Sequence, residues 1–251
     1  MARSMKKYLR PEVKTTPFCP GCGHGVLMGS LLRAIDQLGL DMKNTLFVSG
    51  IGCAAWIPSP NFAADTLHTL HGRAVAFATG AKAANPELKV IVVSGDGDLA
   101  SIGGNHLINA ARRNLELTVI CANNMIYGMT GGQMAPTTPQ GHLTATSVQG
   151  NPYRPFDLVK LVKGAGAPYV ARGAVTRPYQ LIGYLKKAIA SPDFAFVDVL
   201  SPCPTQYGRR NKLDSAGAMY ERLRGLCQEA AEGTCAPGDA GDTLRLGEFN
   251  D

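Results

Sequence analysis

The chain lacks any apolar run long enough to cross a bilayer, which takes about 20 consecutive apolar residues, and its opening MARSMKKYLRPEVK leads into no signal-peptide core. These absences predict a cytoplasmic protein with no membrane association. A disulfide framework is also missing. Seven cysteines are an odd number, and thiols in a reducing compartment stay reduced, which leaves them as ligands or small core residues. Aromatic residues are few, 7% of the chain with a single tryptophan, and form no stripe among the basic residues. Lys and Arg fall in short scattered groups, such as Arg112 with Arg113 and Arg209 with Arg210 and Lys212, and no nucleic-acid module is recognisable. Nucleic acid is therefore not an expected partner. The net charge of +6 and a pI near 9.0 point instead to an acidic protein, a phosphorylated cofactor or ordinary solvated surface.

What is present is enough for one substantial core: 251 residues, 45% of them hydrophobic. One domain is expected over residues 1–229. The Gly/Ala/Asp-rich stretch 230–251 reads as a flexible tail or a docking arm. Helical spacing of apolar residues predicts helices over 24–40, 72–84, 102–113, 156–164 and 177–190. Between them TLFVSG, LKVIVVSG, LELTVICAN, APYVARG and FAFVDVL read as buried strands. Regular alternation of strand and helix predicts an α/β fold, a mostly parallel sheet with helices on both faces. Residues 125–155, rich in Gly, Thr and Pro, break the rhythm where a buried strand ends, as functional loops do.

The turn SGDGDLA follows the strongest strand and formally satisfies a dinucleotide fingerprint through Gly95, Gly97 and Ala100. A pyrophosphate resting directly on it would meet the carboxylates of Asp96 and Asp98, and like charges repel. The acidic ribose-binding residue expected about 20 residues later is also missing. A divalent cation between turn and phosphates removes the conflict, because Mg²⁺ takes oxygen ligands from protein and diphosphate together. Asp96 and Asn124 stand 28 positions apart, at the carboxyl ends of consecutive strands. A right-handed crossover brings both to one sheet edge.

Cysteines gather at the same edge. FCPGCGHG holds Cys19 and Cys22, Cys53 follows the TLFVSG strand, and Cys203 follows the FAFVDVL strand. Four thiolates suit either a tetrahedral zinc or a 4Fe–4S cluster, and spacing alone does not separate the two. Cys121 lies inside an apolar strand and reads as a core residue, while Cys227 and Cys235 carry no partner signal. His24, His68 and His106 read as packed or solvated. His71, in LHTLHGRA at the same edge, is placed to approach a cofactor.

GDGD followed by NN resembles the diphosphate-binding motif of thiamine diphosphate enzymes. That resemblance implies Asp96, Asn124 and the Ile126 carbonyl as Mg²⁺ ligands. From about Thr15 to about Leu213 the chain resembles the β subunit of 2-oxoacid:ferredoxin oxidoreductases. The likeness is carried by CPGCGHG, SGIGC, HTLHGRA, SGDGDLASIGGNH, NNMIYGMTGGQMAPTTP and SPCPTQYGRRN. It implies a thiamine diphosphate-binding fold in which Cys19, Cys22, Cys53 and Cys203 ligate one 4Fe–4S cluster. Gly52, Cys53, His71, Gly95, Asp96, Gly97, Asp98, Asn124, Ile126, Gly128, Met129 and Thr130 would form the cofactor site.

The implied reaction converts a 2-oxoacid, coenzyme A and oxidised ferredoxin to acyl-CoA, CO₂ and reduced ferredoxin. No Glu stands at a motif position suited to activating the thiamine ring, so the resemblance assigns that residue to an α subunit. NNMIYGMTGGQMAPTTP is closer to subunits acting on 2-oxoglutarate than to pyruvate-specific ones, and branched-chain 2-oxoacid enzymes share much of it. Trp56 beside Cys53 is a candidate substrate contact, and Arg73 a candidate cation for a substrate carboxylate. A non-oxidative thiamine diphosphate decarboxylase or a zinc-stabilised module without catalysis are the competing readings.

Overall fold

The computed structural model describes residues 5–213, 215–229 and 244–250. Six strands, β1 (Thr45–Ser49), β2 (Asp65–His68), β3 (Lys89–Gly95), β4 (Thr118–Asn123), β5 (Tyr169–Ala174) and β6 (Ala195–Leu200), run parallel. Two C-terminal strands, β7 (Cys227–Glu229) and β8 (Leu244–Glu248), complete the order β2-β1-β3-β4-β6-β5-β8-β7, with β8 antiparallel to β5. The β-branched run of β3 is explained by burial on both faces. Ile91 and Val93 pack into one core layer, Val90 and Val92 into the other, because successive side chains point to opposite sides of a strand.

Helices α1 (His24–Leu38) and α5 (Pro178–Ala190) cover the first face. The second is covered by α2 (Ala74–Ala84), α3 (Gly104–Arg112) and α4 (Leu158–Gly164). Boundaries follow local chemistry. Left-handed Gly39, at φ 62°, closes α1 with its N–H on the Asp36 and Ile35 carbonyls, so the helix ends at Leu38 and not at residue 40. Asp157 caps α4 by accepting from the Val159 and Lys160 N–H groups. Pro178 opens α5, where its missing N–H costs nothing.

The five expected strands and five expected helices are present. Three helix starts move by two residues: α2 begins at Ala74, α3 at Gly104 after a π-type turn over residues 98–102, and α4 at Leu158. β2 and a sixth helix, α6 (Ala216–Leu226), were not anticipated. The stretch read as a tail ends differently from expectation, since residues 244–248 form a sheet strand, while 230–243, with Cys235, lie outside the described residues. Cys121 is fully buried in β4, as its apolar neighbours require. Among the described residues no helix is long and apolar enough to cross a membrane.

Candidate functional site

The loops after β1, β2, β3 and β4 enclose a cleft of about 350 Å³ at the carboxyl edge of the sheet. The register pairs Gly95 of β3 with Ala122 of β4, so the GDGD turn and the NN turn leave the sheet side by side. All twelve residues expected to form a cofactor site line this one cleft. His24, Ile51, Ala54, Ala122 and Tyr127 line it as well. Cys19, Cys22, Cys203, Trp56 and Arg73 do not. Trp56 instead makes an edge contact with His68 at 6.4 Å, and Arg73 donates to the Gly72 carbonyl at 3.3 Å.

Asp96 follows β3 directly and is 2% exposed. Burial pushes its carboxyl up to about 6, although the Thr137 hydroxyl and the Asn124 backbone hydrogen-bond to it and pull the other way. The two asparagines divide their work. Asn123 turns inward: its amide donates to Asp198 Oδ1 at 3.0 Å and its carbonyl oxygen accepts from Met125 N at 3.3 Å. Asn124 faces the cleft, its Oδ1 accepting from Ile126 N at 3.2 Å. Between them and Ile126, Met125 takes a left-handed φ of 62°, the kink that turns the chain across the cleft. Tyr127 then reaches back to donate to the Gly97 carbonyl at 2.9 Å. A Cβ on Gly97 would stand 2.4 Å from that ring, so only glycine fits.

Asp98, expected to line the cofactor, does line the cleft, but its carboxylate is taken up by neighbouring loops. Oδ1 accepts from Gly72 N at 2.8 Å and Ile51 N at 3.2 Å and lies 2.7 Å from His71 Nδ1. Oδ2 accepts from Ser94 Oγ at 2.6 Å. One carboxylate thus ties together the loops after β1, β2 and β3. It sits where a Cβ on Gly50 would fall, 2.1 Å from Oδ2 and 2.3 Å from Oδ1, which explains the glycine of SGIGC.

The cysteine segments meet beside the cleft. Cys22 N donates to Cys19 O at 3.0 Å, closing a tight turn, and Gly23 N donates to Pro202 O at 3.1 Å. His24, 1% exposed, sits 2.9 Å from Ser201 Oγ and is held well below the usual imidazole range, at about 4, by burial. These contacts lay the CPGCGHG loop against the segment that carries Cys203. A Cβ on Gly128 would stand 3.6 Å from Cys203 Sγ, 3.7 Å from Cys53 Sγ and 3.7 Å from Asn124 Nδ2. Burial, reinforced by the other thiols, pushes Cys22 up to about 12 and Cys53 up to about 11. Such thiols stay protonated unless a metal takes the proton's place. Among the described residues, no three His, Cys, Asp or Glu side chains close around a single point as metal ligands. The thiols converge without being drawn together.

Chemically, the cleft offers hard oxygen donors from Asp96, Asn124 and Ile126 and, among the described residues, no lysine or arginine in its lining. That set fits Mg²⁺ carrying a diphosphate, because the cation supplies the positive charge the wall lacks. The thiols of Cys19, Cys22, Cys53 and Cys203 are soft donors of the kind that hold iron–sulfur clusters or zinc.

The family model for the C-terminal TPP binding domain of thiamine pyrophosphate enzymes matches residues 50–199. The 2-oxoglutarate synthase subunit KorB of Methanocaldococcus jannaschii is 50% identical over 218 residues, covering 87% of this chain and 80% of that protein. The 2-oxoacid:ferredoxin oxidoreductase subunit beta of Saccharolobus solfataricus is 44% identical over 195 residues, covering 77% and 64%. A solved 2-oxoglutarate:ferredoxin oxidoreductase from Magnetococcus marinus, with 2-oxoglutarate, coenzyme A and succinyl-CoA bound, superposes with a TM-score of 0.88 at 34% identity. It covers 99% of this chain and 85% of its own.

Proposed function

Because this chain belongs to the thiamine pyrophosphate enzymes, among the β subunits of 2-oxoacid:ferredoxin oxidoreductases, we propose that it serves a 2-oxoglutarate:ferredoxin oxidoreductase. In that reading it works with an α subunit in the cytoplasm, turning 2-oxoglutarate and coenzyme A into succinyl-CoA and CO₂ and passing the electrons to ferredoxin. The observation that carries it is the meeting of Asp96, Asn124 and Ile126 in one cleft whose wall also includes Cys53. The choice of 2-oxoglutarate is supported by the names of the relatives and by the ligands of the Magnetococcus marinus enzyme.

Asp96, Asn124 and the Ile126 carbonyl would hold Mg²⁺, and Gly52, Gly95, Gly97, Gly128, Met129 and Thr130 would border the thiamine diphosphate. When bound, that cofactor supplies the carbanion that adds to the substrate ketone and the electron sink for decarboxylation. The chain's own contribution is to bind, orient and exclude water. Thr137 fixes the Asp96 carboxylate, Asn123 anchors the NN turn, and Asp98 sets the loops that wall the cleft. Cys19, Cys22, Cys53 and Cys203 would hold a 4Fe–4S cluster, a one-electron acceptor adjoining the cleft. Among the described residues no glutamate lines the cleft, so in this reading the residue that activates the thiamine ring falls to the α subunit.

The test is anaerobic reconstitution with the α subunit. The expected outcome is a brown complex with about four iron atoms per chain. It should reduce a dye only when 2-oxoglutarate, coenzyme A and thiamine diphosphate are all present. Zinc without iron, or no 2-oxoacid-dependent reduction, would eliminate the reading.

A further inference from the structure

We propose that His71 is the proton acceptor for the thiol co-substrate, with Asp98 as the residue that positions it; this rests on the function proposed above and assigns a step within it. His71 Nδ1 lies 3.2 Å from the Ile51 carbonyl and 2.7 Å from Asp98 Oδ1. A carbonyl only accepts hydrogen bonds, and Asp98 Oδ1 already accepts from two backbone N–H groups. Nδ1 therefore carries a ring hydrogen, which leaves Nε2 as the nitrogen that can take up a proton. Among the described residues Nε2 has no partner. The side chain is 37% exposed on the cleft wall.

An imidazole backed by a buried carboxylate and offering an open Nε2 is the arrangement in which histidine accepts protons in catalysis. Its geometry is fixed from several sides. Gly72 has a φ of 71°, and a Cβ there would stand 2.0 Å from Ile102 Cγ2, so the backbone beside His71 has little freedom. The Tyr127 ring lies 5.8 Å from the imidazole and is itself held by Gly97.

The other titratable groups lining the cleft are engaged. Asp96 belongs to the oxygen set, the Asp98 carboxylate is occupied by the loops, the Tyr127 hydroxyl donates to Gly97, and His24 is buried against Ser201. Cys53 belongs with the thiols. That leaves His71 for the one reactant that must lose a proton as it attacks, the thiol of coenzyme A arriving from solvent. In the step, the S–H bond breaks and its proton passes to Nε2. The sulfur electron pair forms the bond to the acyl carbon, and the bond from that carbon to its carrier breaks with the pair left on the carrier.

The test uses the reconstituted α–β holoenzyme and a series of thiols of graded acidity, with His71→Gln beside the unaltered enzyme. Rates are read per bound thiamine diphosphate, and the dye-reducing phase that precedes thiol addition is the reference against which the thiol-dependent phase is compared. The thiol-dependent phase should slow by about a hundredfold or more with coenzyme A. That loss should shrink as the thiol becomes more acidic, because an acidic thiol needs no base. Coenzyme A affinity, measured by titration calorimetry, should stay within about twofold, well under the rate effect of lost base catalysis. An equal loss for every thiol, a loss of affinity matching the loss of rate, or no loss would each overturn the proposal. The unaltered enzyme gives a check that needs no variant: its thiol-dependent phase should be slower in D₂O, and equal rates in the two solvents would also overturn it. An unaltered enzyme without any 2-oxoacid-dependent reduction would remove the proposed function and this step together, whereas the outcomes above remove this step alone.

Discussion

Asp96 is an unfavourable residue for the fold of the cofactor-free chain. Burial lifts its carboxyl to a pKa of about 6, above the ordinary carboxylate value. A group that binds its proton more tightly when folded lowers stability as pH rises through the window between the unfolded and folded values. The cost is absent below about pH 4 and complete above about pH 7, and at about 1.4 kcal/mol per pKa unit it reaches about 3 kcal/mol. Asp96→Asn keeps the shape and removes the charge. Its cofactor-free form should therefore melt at the same temperature or higher at pH 7.5, with the advantage vanishing toward pH 4. Mg²⁺-dependent retention of thiamine diphosphate should be abolished. A variant that melts several degrees lower at pH 7.5 yet keeps its cofactor would overturn the metal assignment. Residues that destabilise the empty protein and enable the loaded one are the mark of a functional position.

At the scale of elements, β5, β6, α4 and the NN turn are joined through one buried cation. Arg172 of β5 donates through Nε to Asp198 of β6 at 2.8 Å and through Nη2 to Asp157, the cap of α4, at 2.5 Å. Asp198 also receives the Asn123 amide. Arg172 is 4% exposed and Asp198 fully buried, and burial raises the Asp198 carboxyl above its usual value in spite of the arginine. Arg172→Met leaves that carboxylate buried and unpaired, which costs about 3–5 kcal/mol. The loss should be largest at pH 8 and shrink as pH falls, since protonating Asp198 removes the stranded charge. Adding Asp198→Asn should recover much of the stability at pH 8. Urea unfolding of the single and double variants at pH 8 and pH 5.5 checks both signs.

Elements of this kind also mark how far the sequence can be read. β1 and β3 to β6 announce themselves because strands buried on both faces need continuous apolar runs, and the five expected helices do so through apolar residues at helical spacing. β2 reads DTLH, a half-exposed edge strand whose place is set by pairing with β1, and α6 reads AGAMYERLRGL, too polar to signal burial. Twelve of the residues lining the cleft are legible as motifs, since turns at one sheet edge keep their neighbours close in sequence. The loop-tying role of Asp98 was not, because its donors come from positions 51, 71, 72 and 94, which only the folded chain brings together. Tyr127 stayed hidden for the same reason, its partner Gly97 lying 30 positions away.

For the whole molecule, the charge and the chemistry occupy different places. The chain carries a net +6, yet among the described residues no lysine or arginine lines the cleft. Most of the positive charge therefore lies outside the cleft, where it would act on a docking partner and not on a bound reactant. An acidic electron carrier would be drawn to such a surface by a field that salt screens, with a Debye length falling from about 10 Å at 0.1 M to about 3 Å at 1 M. A small neutral dye entering the same complex feels almost none of it. Raising the salt from about 50 mM to about 500 mM should lower kcat/KM for an acidic ferredoxin by about tenfold or more. The rate with a neutral dye should change little, and so should KM for coenzyme A if its phosphates meet no cation on this chain. Equal salt dependence for ferredoxin and dye would remove charge as the docking force, and a steep ferredoxin dependence that survives replacement of Arg209 and Lys212 would move the docking face to the α subunit. A steep dependence for ferredoxin alone, weakened further by replacing Arg209 and Lys212 together with Ala, would place it on this chain next to the segment that carries Cys203.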